Sequence, residues 1–176
     1  MNGRRVVGVV SLAVAVLLAG CGGEDGPGTV SLYDRAPVPA VPDRTTAVAT
    51  PLADGDYWAE LVAADAASGT LTFDLVQALF ADACFAELGA DECPNDYGVV
   101  TEPHVELMSP ALSLTSASVV AESQQNYAVT ADELMVLVGG GVPSAGAPDD
   151  YTYVPFPFLV TLTDGVVVEA RQVWVP

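Results

Sequence analysis

The stretch "FLVTLTDGVVVEARQVWVP", Phe158 to Pro176, decides the fold. Apolar and polar side chains alternate on either side of Asp164-Gly165, which is the period of a strand with one buried face. Asp-Gly is a dipeptide that tolerates positive φ at both central positions of a two-residue turn. The stretch is therefore expected to be an antiparallel hairpin. A hairpin is marginal alone, so further strands must extend it.

Those strands can be read upstream. "DYWAELVAAD" (Asp56 to Asp65) and "TLTFDLV" flank the turn "AASG", and in the second Leu71, Phe73 and Leu75 alternate with Thr72, Asp74 and Val76. "HVELM", "SLTSASVV" (interrupted by Pro110) and "NYAV" are further strand candidates. Two segments change period. In "QALFADACFAEL", Leu79, Phe80, Ala83, Ala86 and Leu88 can share a helical face, and Gly89 supplies the stop. Thr130-Ala131-Asp132-Glu133 reads as a capping box opening the short helix "DELMVLV", which ends at Gly139 to Gly141. Strands adjacent in sequence with two short helices give an α+β domain over residues 54–176, built on an antiparallel sheet that could curl towards a small barrel.

The chain has 176 residues, no lysine, five arginines and 23 acidic residues, for a net charge of −18. Such a surface repels phosphate backbones, so nucleic acid is excluded as a partner. The N-terminus sets a compartment. "MNGRR" is basic, Val6 to Leu18 is an apolar run of 13 residues, and "AG" precedes Cys21. That run is shorter than the roughly 20 residues a membrane-spanning helix needs, and the order of zones is that of a signal peptide over residues 1–20. Leu18-Ala19-Gly20-Cys21 resembles the bacterial lipobox at all four positions. The resemblance implies a diacylglyceryl group on the Cys21 thiol and cleavage before it, hence a lipid anchor at the cell membrane on the extracytoplasmic side. Residues 21–53, rich in Pro and Gly and poor in large side chains, are expected to be a flexible tether of roughly 30 Å reach.

A wider resemblance rests on "DGDYWAELVAAD…GTLTFDLVQAL", on "NDYGVV" with Asn95-Asp96-Tyr97, and on the final Asp164-Gly165 hairpin ending in Pro176. Together these resemble secreted or lipid-anchored actinobacterial proteins of unknown function. The resemblance covers most of residues 54–176 and implies a compartment and an architecture, with no catalytic residues to carry over.

Few residues could carry chemistry. Outside the cytoplasm, Cys84 and Cys93 are expected to form a disulfide, with a buried thiol pair or a redox or metal site as alternatives. His104 is the one histidine; "GVPSAGAP" has Val142 where a nucleophile elbow at Ser144 needs glycine. The acidic groups at Asp54/Asp56, Asp91/Glu92/Asp96 and Asp149/Asp150 match no calcium-loop spacing. No cofactor or metal is called for. "DDYTYVPFPF" places Tyr151, Tyr153, Phe156 and Phe158 on a backbone that Pro155 and Pro157 hold extended, one set of rings entering the core and another free to line a binding strip. The expectation is a non-catalytic binding module of the cell envelope with an apolar or cationic ligand or protein partner. A carboxylate-dependent hydrolase of envelope material is the alternative, and a structural envelope component the third.

Overall fold

The computed structural model describes residues 32–39, 52–101, 105–109, 114–120, 123–149 and 151–175. In chain order these form β1 (Arg35–Ala36), β2 (Gly55–Asp65), β3 (Thr70–Leu75), β4 (Gln77–Phe80), α1 (Ala81–Leu88), β5 (Tyr97–Val100), β6 (Glu106–Ser109), β7 (Leu114–Val120), β8 (Gln125–Val129), α2 (Ala131–Val138), β9 (Phe158–Thr163) and β10 (Val166–Gln172). Two 3-10 turns, Ala90–Glu92 and Pro94–Asp96, join α1 to β5. The fold is α+β, with one eight-stranded sheet in the order β1-β8-β7-β10-β9-β2-β3-β6 and a separate pair β4-β5.

The terminal hairpin forms as its sequence requires. β9 and β10 pair antiparallel from Val166↔Thr163 to Gln172↔Phe158, with φ of 52° at Asp164 and 74° at Gly165. The Asp54 carboxylate accepts from the Asp164 N–H at 2.8 Å, so part of the first acidic group caps this turn. β2 runs beside β9 and continues into the β2–β3 hairpin. There the Asp65 carboxylate accepts from the Ala67 N–H at 2.9 Å and the Ser68 hydroxyl at 2.7 Å. These bonds hold its pKa below the usual carboxylate range. One pair departs from the antiparallel expectation: β10 and β7 are parallel.

The sheet is strongly curled and not closed. The Ser109 hydroxyl in β6 donates to the Val167 carbonyl in β10 at 3.4 Å, although three strands separate them in the hydrogen-bonded order. Inside the curl lies the main core, with Phe73, Phe158, Leu71, Leu75, Val160 and Leu162 packed against Leu134 and Leu137 of α2. On the opposite face, Trp58, Leu159, Val173 and Val76 meet Phe80, Tyr97 and Val99 from the β4-β5 pair. Trp58, Phe80 and Tyr97 stack in series with ring centroids 5.6 and 5.4 Å apart.

Three sequence expectations change. Gln77–Phe80 is a strand, and the helix begins only at Ala81, whose φ of 45° breaks the chain direction. Leu79 and Phe80 serve two separate cores on either side of that strand, so their apolar run is not one helical face. The domain also reaches back before residue 54. β1 pairs with β8, and Tyr33 is buried in the main core, so residues 32–39 belong to the packed body. Strand pairing and the buried Tyr33 ring together hold a segment otherwise of tether composition. The strands of the large sheet, finally, are not all neighbours in sequence, as the β7–β10 pair shows.

Cys84 and Cys93 are disulfide-bonded, tying α1 to the loop before β5. Both sulfurs are buried with Leu79. Gly98 of β5 passes so close that an added Cβ would lie 2.8 Å from the Cys84 sulfur and from Leu88 Cδ1, so only glycine fits there. Closing so short a loop contributes on the order of 2–3 kcal/mol. Alkylation of the unreduced protein, followed by mass spectrometry, is expected to find both thiols blocked, and Cys84→Ser with Cys93→Ser should lower unfolding stability by about that amount. Alkylatable thiols at both positions would contradict this.

Candidate functional site

The extended segment from Tyr151 to Pro157 crosses the domain where β2 outruns its partner. β2 pairs with β9 only as far as Ala59↔Phe158, while its own strand continues to Asp65. Gln172, fully buried, holds the segment: its Nε2 donates to the Val154 carbonyl at 2.6 Å and to the Phe156 carbonyl at 3.2 Å. The Val173 N–H donates to the Pro157 carbonyl at 2.8 Å. Prolines at 155 and 157 have no N–H to spend, so side-chain clamping replaces strand pairing.

This geometry divides the four aromatic rings of the strip. Tyr151 and Phe158 enter the core, Tyr151 edge-on to Tyr33 at 5.2 Å and Phe158 edge-on to Phe73 at 5.6 Å. Tyr153 and Phe156 stay half-buried. With Pro155, Leu61, Val62 and Glu60 they line a cavity of about 220 Å³. Tyr153 also walls a second cavity of about 260 Å³, shared with Tyr151, Leu137, Gly140 and Pro143. Burial pushes the Tyr153 hydroxyl up to about 12, so the ring stays neutral at any physiological pH.

Glu60 is the charged wall of the first cavity. Burial raises its pKa, and Asp74, directly opposite on β3, raises it further. The Tyr97 hydroxyl is itself raised, first by burial and then by the Glu60 charge, which sets Glu60 at the junction of the groove and the small sheet. Sequence reading missed Glu60 because one acidic residue among 23 carries no mark; only the register with Asp74 singles it out.

A buried polar clasp supports the groove from behind. Glu133, 5 % exposed, accepts from the Tyr33 hydroxyl and the Ser144 hydroxyl, and from the Ser144 N–H at 2.7 Å. The Glu133 N–H donates to Thr130 Oγ1 at 3.2 Å, so half of the expected capping box forms. Its other half is absent because the Glu133 side chain turns inward to the clasp. Ser144 is thus a carboxylate partner.

Cys21 and His104 lie outside the described residues. Among the described residues, no group of three His, Cys, Asp or Glu is placed to hold a metal ion. Comparison with protein-family models, curated proteins and solved structures gives no match.

Glu133 makes stability depend on pH. Burial works to raise its pKa, but the donors from Ser144 and Tyr33 outweigh it and the net shift is downward. A depressed folded-state pKa stabilises above the unfolded value, about 4.3, and that stability is lost as pH falls through the folded value. Denaturant unfolding of wild type should therefore weaken on acidification below about pH 4.3 more steeply than that of Glu133→Gln. Parallel curves for the two proteins would show that the clasp does not hold an ionised carboxylate.

Proposed function

We propose that this chain is a lipid-anchored cell-envelope protein whose domain is a non-catalytic binding module for cationic organic groups. The observation that carries the reading is the cavity lined together by Glu60, Tyr153, Pro155 and Phe156. A carboxylate beside neutral aromatic faces attracts an ammonium or guanidinium by charge and by the ring quadrupole, and a half-buried site strengthens both. The acidic body, at −18, favours the approach of the same ligands. The lipobox at Leu18 to Cys21 and the resemblance to secreted actinobacterial proteins support the envelope compartment.

A second reading is favoured by one observation. Glu60 faces Asp74 across β2 and β3 and has a raised pKa, the division of roles an acid/base hydrolase uses. Asp74 is buried, however, which keeps it from a substrate in the groove.

The direct test uses n-butylammonium, with n-butanol as its uncharged counterpart, titrated into the full chain. Saturable binding of the cation alone is expected, weakened roughly fivefold or more by Glu60→Gln and by Tyr153→Ala. Because the cation needs the ionised carboxylate, binding should fade as pH falls through a value above the ordinary 4.3 or so for glutamate. Equal binding by Glu60→Gln would overturn the reading, and turnover of envelope polysaccharide abolished by that substitution would favour the hydrolase.

The anchor is tested separately. Expressed in a bacterial host, the full chain is expected to enter the detergent phase, and Cys21→Ala the aqueous phase. Identical partitioning would remove the lipid anchor.

A further inference from the structure

On the outer face of the curled sheet, away from the aromatic groove, lies a cavity of about 340 Å³ lined by Arg35, Ala36, Pro37, Ser116, Ala128, Glu169 and Arg171. Arg35 and Arg171 are the only cationic side chains among the described residues, and both line this one cavity. They come together through the sheet order. Arg171 of β10 lies opposite Ser116 of β7, Ser116 opposite Ala128 of β8, and β8 pairs with β1, which carries Arg35.

Among the described residues their hydrogen-bonding capacity is largely unspent. The acidic neighbours of Arg171 stand at 3.8 Å (Nη2 to Asp56) and 3.6 Å (Nε to Glu169), outside hydrogen-bond range. The Asp56 oxygen nearest Arg171 already accepts from the Thr161 hydroxyl at 2.6 Å. The Arg171 Nε–H has no acceptor. Arg35 is exposed and has no ion pair among the described residues. Ser116 is only 4 % exposed and lines the cavity.

We propose that the Arg35–Arg171 groove binds a carboxylate carried on a small organic body. Guanidinium forks match the two oxygens of a carboxylate, and Ser116 supplies a further donor. Ala36, Pro37 and Ala128 offer an apolar wall for the attached carbon skeleton. Glu169 and Asp56 beside Arg171 oppose a dianion, which selects a singly charged group over a phosphate. A volume near 340 Å³ stands at the small end of ligand sites and suits a ligand about the size of an amino-acid derivative.

The experiment titrates the full chain with N-acetylalanine, its neutral amide, and inorganic phosphate, following the side-chain Nε–H resonances of the arginines by NMR. N-acetylalanine should shift the Arg171 and Arg35 signals saturably, with a Kd on the order of 1 mM, while the amide shifts neither. Arg35→Gln, at an exposed edge position, keeps the fold and should weaken binding roughly tenfold. Arg171→Gln should do the same, and circular dichroism would identify a folding defect in that variant. No saturable shift, equal response to acid and amide, unchanged affinity in Arg35→Gln, or tighter binding of phosphate than of N-acetylalanine would each overturn the proposal.

Discussion

The curl of the large sheet follows from one short connection. β6 ends at Ser109 and β7 begins at Leu114, yet β10, β9, β2 and β3 lie between them in the sheet order. In a flat sheet the two strands would stand about 24 Å apart. Five residue steps reach at most about 18 Å. The sheet must therefore bend until β6 approaches the far strands, and the Ser109–Val167 hydrogen bond is that approach. Bending produces an enclosed face and an outer face, and each is filled differently. The enclosed one takes α2 with Phe73 and Phe158, and the outer one takes the β4-β5 pair over Trp58.

The clasp at Glu133 joins three stretches that share no strand: the segment before β1, α2, and the loop that leads into Tyr151. Burying a carboxylate is costly unless its lone pairs are met, and removing one partner from such a group destabilises more than the bond itself is worth. Here three donors meet it, two from Ser144 and one from Tyr33. The T-shaped contact of Tyr33 with Tyr151 then passes the constraint to the start of the aromatic segment. Tyr153 and Phe156 can line a groove with defined walls because Tyr151 and Phe158 on either side are fixed in the core.

Legibility in the sequence tracked how local each cause was. The Asp164-Gly165 turn, the alternation of β3 and the stop at Gly139 are written within a few residues, and all appear in the structure. The start of α1 was misread because Leu79 and Phe80 satisfy a helical stripe as well as a strand buried on two sides; a short apolar run cannot separate those periods. Tyr33 sits in a segment of tether composition, and its burial depends on a carboxylate 100 residues away. Tyr153 and Phe156, which line the groove, were legible as aromatic spacing. Glu60, Gln172 and the Arg35–Ser116–Arg171 grouping were not, since each owes its place to strand register and none to its neighbours in the chain.

The charge distribution links the two grooves. Over distances beyond about 8 Å at physiological salt, the net charge of the body is screened and local groups decide what binds. At the aromatic groove two carboxyl groups stand opposite each other, and like charges across a strand pair destabilise. Burial raises the Glu60 pKa and that repulsion raises it further, and a bound cation would oppose both. At the outer groove the acidic neighbours stay beyond hydrogen-bond distance of Arg171, close enough to lower its potential but too far to occupy its donors. Each groove thus holds one charge in a state its own surroundings do not fully satisfy, a carboxylate crowded by its like and a guanidinium short of acceptors. A protein with only five basic residues would lose little stability by pairing its arginines fully with some of its 23 acids. The fold instead places Glu60 and Arg171 in the walls of two separate cavities, where the proposed ligands of opposite sign would complete them.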